Sequence, residues 1–152
     1  MDVSQFKEKV LEQPYFTDIK PEYLDILVKT ASEVSFEKGH FLLTKGSDAN
    51  NLYMLSSGKV NIEIDGEEKG PITIQSIGVG DIIGWSWLVP PFEWQFDAIV
   101  IEPTNVLKFD GVALRNTCEE NHGFGYDLIK RVTTVMTNRL LSTRLKLMEY
   151  YT

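Results

Sequence analysis

From Val34 to Phe109 the chain is cut into short runs of β-branched and aromatic residues by closely recurring turn signals: Lys38-Gly39, Lys45-Gly46-Ser47-Asp48, Ser57-Gly58, Asp65-Gly66 and Gly78-Val79-Gly80. Regularly spaced short strands of this kind argue for a barrel or jelly roll rather than a parallel α/β sheet. Alternation is clearest in Val60-Asn61-Ile62-Glu63-Ile64, a half-buried strand that leads into an Asp65-Gly66 hairpin. The fold predicted from these runs is mainly β with flanking helices, a barrel or jelly roll similar in outline to the double-stranded β-helix of cupins.

Helical signals lie on either side. Ser4 is placed to cap a first helix with Phe6, Val10 and Leu11 on one face, ending near Gln13-Pro14. Pro21 suits the first position of a second, whose buried face is Tyr23, Leu24, Ile26, Leu27 and Ala31. Two further strands, Ala98 to Ile101 and Asn105 to Phe109, are expected around a turn at Glu102-Pro103-Thr104, after which Asp110 caps a short helix to about Glu120. Beyond a break at Asn121-His122-Gly123, the longest periodic segment runs from about Gly125 to Tyr150. Its apolar stripe is wider than one contact surface needs, so one flank should cover the strands and the other, through Val132, Met136 and Leu140, should pair with a second copy in a homodimer. With 152 residues and no linker or low-complexity tract, a single domain over 1–152 is expected. Its parts are N-terminal helices over 1–33, a β-roll over 34–109 and C-terminal helices over 110–152.

The stretch Gly80 to Ala98 holds all three tryptophans, and Phe92 and Phe96 make five aromatics between positions 85 and 96. Such density implies that something apolar is covered or gripped. Gly84 followed by Ser86-Trp87-Leu88 and Pro90-Pro91 predicts a tight turn, one helical turn and a stop, whose free backbone N–H groups would suit an anion. A formal charge of −7 opposes binding to nucleic acid or an anionic membrane. One cysteine, Cys118, and no apolar run of spanning length fit a reducing cytoplasm.

Catalytic patterns are weak. A cupin-like metal enzyme would need several converging histidines and carboxylates, and the chain has His40, in an expected strand, and His122, in an expected loop four residues after Cys118. Cys118 with His122 also fits a redox dyad or haem ligation poorly, since no second cysteine exists. Ser86 lacks the second glycine of a nucleophile elbow. No metal, no cofactor and no enzymatic activity are expected.

Taken together, Gly46 to Val60 with its spaced glycines, Gly78 to Gly84, the paired strands from Ala98 to Phe109, and Arg139-Leu140-Leu141-Ser142-Thr143 resemble the cyclic-nucleotide-binding domain of the catabolite-activator and Fnr regulators, over about residues 15 to 149. The resemblance implies an antiparallel β-roll flanked by helices, a ligand pocket under a phosphate-binding cassette at 80–98, and a two-fold dimer along the long helix. Its implied binding residues are Gly84, Trp85, Ser86, Trp87, Trp94, Phe96, Asp97, Ala98, Thr143 and Arg144. Three of them depart from the family pattern. Trp85 stands where nucleotide binders carry a ribose-binding glutamate, and Phe96 and Asp97 stand where they carry a phosphate-binding arginine and a hydroxyl residue. A carboxylate at that place repels a phosphate.

Since the sequence ends at Tyr151-Thr152, no helix-turn-helix and no DNA binding are expected. These features describe a cytoplasmic, homodimeric, non-enzymatic ligand sensor or regulatory adaptor. It would not hold cyclic AMP or cyclic GMP in the usual way, and would take an apolar or aromatic-bearing small molecule, or none, and signal to a protein partner. The alternatives are a genuine cyclic-nucleotide-binding regulator with unusual contacts and a metal-dependent cupin-like enzyme. For Asp97 the expectation is that its carboxylate fills the anion position itself, capping the helical turn at Trp85-Ser86-Trp87.

Overall fold

The structure is a computed structural model that describes residues 1–151. Thr152, the last residue of the expected domain, lies outside the described residues. The first helix, α1 (Val3–Leu11), is capped by Asp2 rather than Ser4. The Asp2 carboxylate accepts the Gln5 amide at 2.9 Å while Gln5 Oε1 accepts the Asp2 amide at 2.8 Å, which satisfies two helix-end donors at once. A carboxylate two residues earlier outcompetes the serine because it reaches the third amide of the turn. The second helix, α2 (Pro21–Lys29), opens on Pro21 as its sequence dictates and buries Leu24, Leu27 and Val28. Ala31 belongs not to this helix but to β1 (Ala31–Phe36), so the strands begin three residues before Val34.

Two long strands carry the sheet. Strand β3 (Asn51–Asp65) and strand β6 (Asp97–Asp110) run antiparallel from the pair Asn51 and Asp110 to the pair Glu63 and Asp97. Around them the order is β1, β6, β3, β4 (Pro71–Ile77), while β2 (Phe41–Leu43) pairs with β6 and β5 (Ile82–Ile83) pairs with β3. All pairings are antiparallel, in the expected mainly-β roll.

The turns expected at Ser57-Gly58 and Glu102-Pro103-Thr104 do not reverse the chain. Both lie inside the long strands, opposite each other, where the register slips between Leu55 and Ser57, Ser57 and Lys59, and Lys59 and Val60. Bulges use the same glycine-rich and proline-rich chemistry as turns, but they bend a strand and raise its twist, which curls the sheet into a roll. Gly58 has φ +94°, and a side chain there would overlap Thr104 Oγ1 and the Pro103 carbonyl. The buried Thr104 hydroxyl donates to the Glu102 carbonyl at 2.7 Å and accepts the Lys59 amide at 3.2 Å, which pins the two bulges together. The hairpin after Asp65 is also wider than a two-residue turn, since Asp65 pairs with Pro71 across a 3₁₀ turn at Glu67–Lys69.

Asp110 caps α3 (Gly111–Glu120) as expected, accepting the Val112 and Ala113 amides at 3.0 and 3.1 Å. The following break is a single residue, and α4 (His122–Tyr151) begins three residues earlier than expected. Asn121 Oδ1 accepts the Phe124 amide at 3.1 Å, which caps α4 and allows the early start despite Gly123 and Gly125. Phe124, Leu128, Val132 and Val135 form its buried stripe, at spacings of roughly one helical turn. Val132 is 1% exposed and packs into the core, so it is not available to a partner helix, whereas Met136 and Leu140 are 43% and 53% exposed. Arg131 ties α4 to the N-terminal segment by donating to the Tyr15 carbonyl and the Asp18 carboxylate, both at 2.7 Å, and to Asp127 at 2.9 Å. No helix among the described residues is long and apolar enough to cross a membrane.

A cavity between the aromatic turn and the long helix

The aromatic segment is fixed from both sides. Its entry, β5, pairs with Tyr53 and Met54, and the Gly80 amide donates to the Leu55 carbonyl at 3.1 Å. Its exit is laced to residues 46–49: the Gly46 amide donates to the Trp94 carbonyl at 2.9 Å, Trp94 N to Ser47 at 2.9 Å, and Ala49 N to Phe92 at 2.8 Å. Between them lies one 3₁₀ turn, Ser86–Leu88, followed by Pro90-Pro91. Arg115 of α3 secures this turn, donating to the Trp87 carbonyl at 2.9 Å with its guanidinium 4.0 Å from the centre of the Phe92 ring.

The tryptophans then separate into two roles. Trp87 is fully buried, its indole N–H donating to the Gly84 carbonyl at 2.8 Å. Trp94 is also in the core, packed over Gly84, which has φ +93° and where a Cβ would stand 2.8 Å from the Trp94 ring. Only Trp85 faces open space. Together with Phe96 it forms one wall of a cavity of about 440 Å³, with Ile62, Ile74 and Gln75 from β3 and β4 on a second wall. Thr133, Met136, Thr137, Arg139, Leu140 and Thr143 of α4 close the third.

Among the described residues Arg139 is the sole cation on these walls. Its Nη2 donates to the Ile82 carbonyl, and its guanidinium lies 4.9 Å from the Trp85 ring centre. Gln75 Nε2 and the Thr143 hydroxyl both donate to the Arg139 backbone carbonyl, at 3.0 and 2.9 Å. Burial pushes the Arg139 pKa down to about 10, opposed by the charge of Asp81 and the phenol of Tyr15, so the group stays cationic at neutral pH. Among the described residues no carboxylate stands within ion-pair distance of it. The sequence marked Arg139 only as the first residue of the run Arg139-Leu140-Leu141-Ser142-Thr143 that resembles the family's dimer helix, and gave it no binding role. That signal is usable only once the facing wall is known.

The sequence-derived binding residues are therefore only partly gathered. Trp85, Phe96 and Thr143 line the cavity. Gly84, Trp87, Trp94 and Ala98 lie in the core behind it, and Ser86 and Arg144 do not line it. Arg144 follows Thr143 by one residue, which turns it about 100° around the helix into solvent. Asp97 corrects the expectation most. Its carboxylate accepts the Lys45 amide at 2.8 Å, and the turn at Ser86–Leu88 has no side-chain cap. The β2–β6 pairing between Leu43 and Ala98 draws Asp97 toward the 45–49 loop, away from the turn it was expected to cap.

His40 lies outside the strands, immediately before β2, with its ring against Phe36 at 6.3 Å. His122 is the exposed first residue of α4, and Cys118 is half-buried in α3. Among the described residues no three His, Cys, Asp or Glu side chains converge as metal ligands.

The chain belongs to the cyclic nucleotide-binding domain family, whose sequence model matches residues 33–121. Among curated proteins it is similar to a CRP-like cAMP-activated global transcriptional regulator of Mycobacterium tuberculosis, 24% identical over 128 residues, which cover 84% of this chain and 55% of that protein. The chain thus spans about half the length of the curated relatives it matches. Among solved structures it resembles a cyclic nucleotide-binding protein from Geobacter metallireducens, with TM-score 0.80 and 27% identity, covering 88% of this chain and 97% of that one. A cyclic nucleotide-binding domain from Methylobacillus flagellatus shares the fold at TM-score 0.81 and 22% identity, covering 97% of this chain and 83% of that one.

Proposed function

We propose that this chain is a non-enzymatic, ligand-sensing regulatory module whose cavity does not hold cyclic AMP or cyclic GMP in the usual way. The observation that carries the reading is the placement of charge. The cavity's cation comes from α4, through Arg139, while Phe96 and Asp97 at the start of β6 offer no positive group. A cyclic phosphate needs charge-assisted donors where it sits, and the start of β6 offers none.

An occupant of the cavity touches the aromatic turn through Trp85 and the long helix through α4 at the same time. Binding therefore biases the relative position of these two elements, a population shift that exposed residues of α4 can report. We place the module in the cytoplasm as a homodimer paired along the second half of α4, signalling to another protein, and not to nucleic acid or membrane. Isothermal calorimetry tests the ligand side. No heat of binding is expected for either nucleotide up to millimolar concentration, and micromolar binding of either one overturns the reading. A second reading, a true cyclic-nucleotide binder with unusual contacts, is favoured by one observation, the shared position of Arg139 and Thr143 on the cavity wall.

A further inference from the structure

Among the buried side chains of the described residues, Arg139 is the one left with an unpaired donor. Its backbone is braced by Gln75 and Thr143, and its guanidinium is held by the Ile82 carbonyl and the Trp85 ring. These restraints stop the side chain from swinging into water. Yet Nη1 is buried with no hydrogen-bond acceptor. A largely desolvated guanidinium on the wall of a mainly apolar cavity, with no carboxylate paired to it among the described residues, is set to attract an anion from outside the chain.

The surroundings define the rest of that molecule. Trp85, Phe96, Ile62, Ile74, Met136 and Leu140 make the walls mainly apolar. Of the polar wall residues, Gln75, Thr137 and Thr143 donate to α4 carbonyls, at 3.0, 2.8 and 2.9 Å. Each has spent a donor, which leaves the second N–H of Gln75 and the Thr133 hydroxyl, so the hydroxyls and ring nitrogens of a nucleoside would be desolvated with few donors to meet them.

We propose that this cavity binds a hydrophobic monoanion of the aromatic or short-chain carboxylate class, with its carboxylate paired to the Arg139 guanidinium and the apolar body lying against Trp85 and Phe96. The inference deepens the ligand-sensing reading and rests on it. A volume of about 440 Å³ suits such a molecule, within the usual range for small-ligand sites.

The test uses two probes of nearly equal shape, the naphthoate anion and neutral naphthylmethanol, titrated by calorimetry into the full chain. The unmodified protein should bind naphthoate roughly tenfold or more tightly than the alcohol, the usual advantage of a charge-assisted hydrogen bond in an enclosed site. Arg139→Met should abolish that preference while leaving the alcohol's affinity within about threefold. Equal affinity for the two probes, no binding of naphthoate, or an unchanged preference in Arg139→Met overturns the proposal. If Arg139→Met does not fold, the ratio in the unmodified protein decides alone. Any of these failures leaves the cyclic-nucleotide titrations untouched. Conversely, nucleotide binding together with an intact naphthoate preference overturns the broader reading while keeping the anion site.

Discussion

The two halves of α4 carry apolar residues at similar density, and the fold uses them in opposite ways. In the first half Phe124, Leu128, Val132 and Val135 are each about 1% exposed, and Arg131 locks that half to the N-terminal segment. In the second half Leu140, Leu141, Leu145, Leu147 and Met148 are each more than half exposed. The boundary falls at Met136 to Arg139, where the helix leaves the core and becomes the cavity wall. The lesson concerns what a hydrophobic stripe means. It states that a face needs covering, and it does not state by what. Here α3 and the N-terminal segment cover the first half, and we assign the exposed residues of the other to a second copy of the chain.

Three experiments would break or sharpen this contrast. Leu128→Ala should lower the unfolding free energy by about 2–4 kcal/mol at any protein concentration, the ordinary cost of a cavity in a packed core. Leu145→Ala, measured by the same urea titration below the concentration at which copies associate, should stay within about 0.5 kcal/mol. Comparable losses from both at high dilution would mean that the second half is covered within one chain.

The next effect is on association. Met136→Asp or Leu140→Asp should weaken the dimer by roughly tenfold or more in sedimentation, because a charge would be buried in an isologous interface. The strand signal in circular dichroism should be kept. A monomer at micromolar concentration before any substitution would remove the partner from the account of the second half.

The smallest effect is chemical. Cys118 packs against Gly125 in the first turn of α4, and burial, followed by the nearby Glu119 charge, raises its thiol pKa above the ordinary value of 9.0. Fewer thiolates exist at neutral pH than for a free cysteine, so iodoacetamide should alkylate Cys118 slowly there, with the rate still rising above pH 9.0. Free-cysteine rates at pH 7 would show that the first half of α4 opens readily.

Much of this architecture was written locally. Pro21 starting α2, Asp110 capping α3, the alternation of Val60 to Ile64 and the short turn after Gly84 each depend on residues within three or four positions. Local rules of propensity and capping are sufficient for them. The clustering of aromatics at 85–96 likewise marked where a cavity wall would form. It did not say which aromatic faces the space, because Trp85, Trp87 and Trp94 are chemically alike and only packing against Gly84 and the core distinguishes them.

The remaining features were decided by pairings across long stretches of chain. Whether Ser57-Gly58 is a turn or a bulge depends on the Glu102 to Asn105 segment opposite it, and Asp97 is drawn off by the amide of Lys45, 52 residues away. Arg139 is one exposed-looking cation among several until Gln75, Ile82 and Trp85 converge on it from 54 to 64 positions upstream. A sequence fixes what each side chain is able to donate, accept or cover. The dielectric around it and the partner it meets are properties of the folded neighbourhood, and those turn Arg139 from a surface charge into the centre of the candidate site.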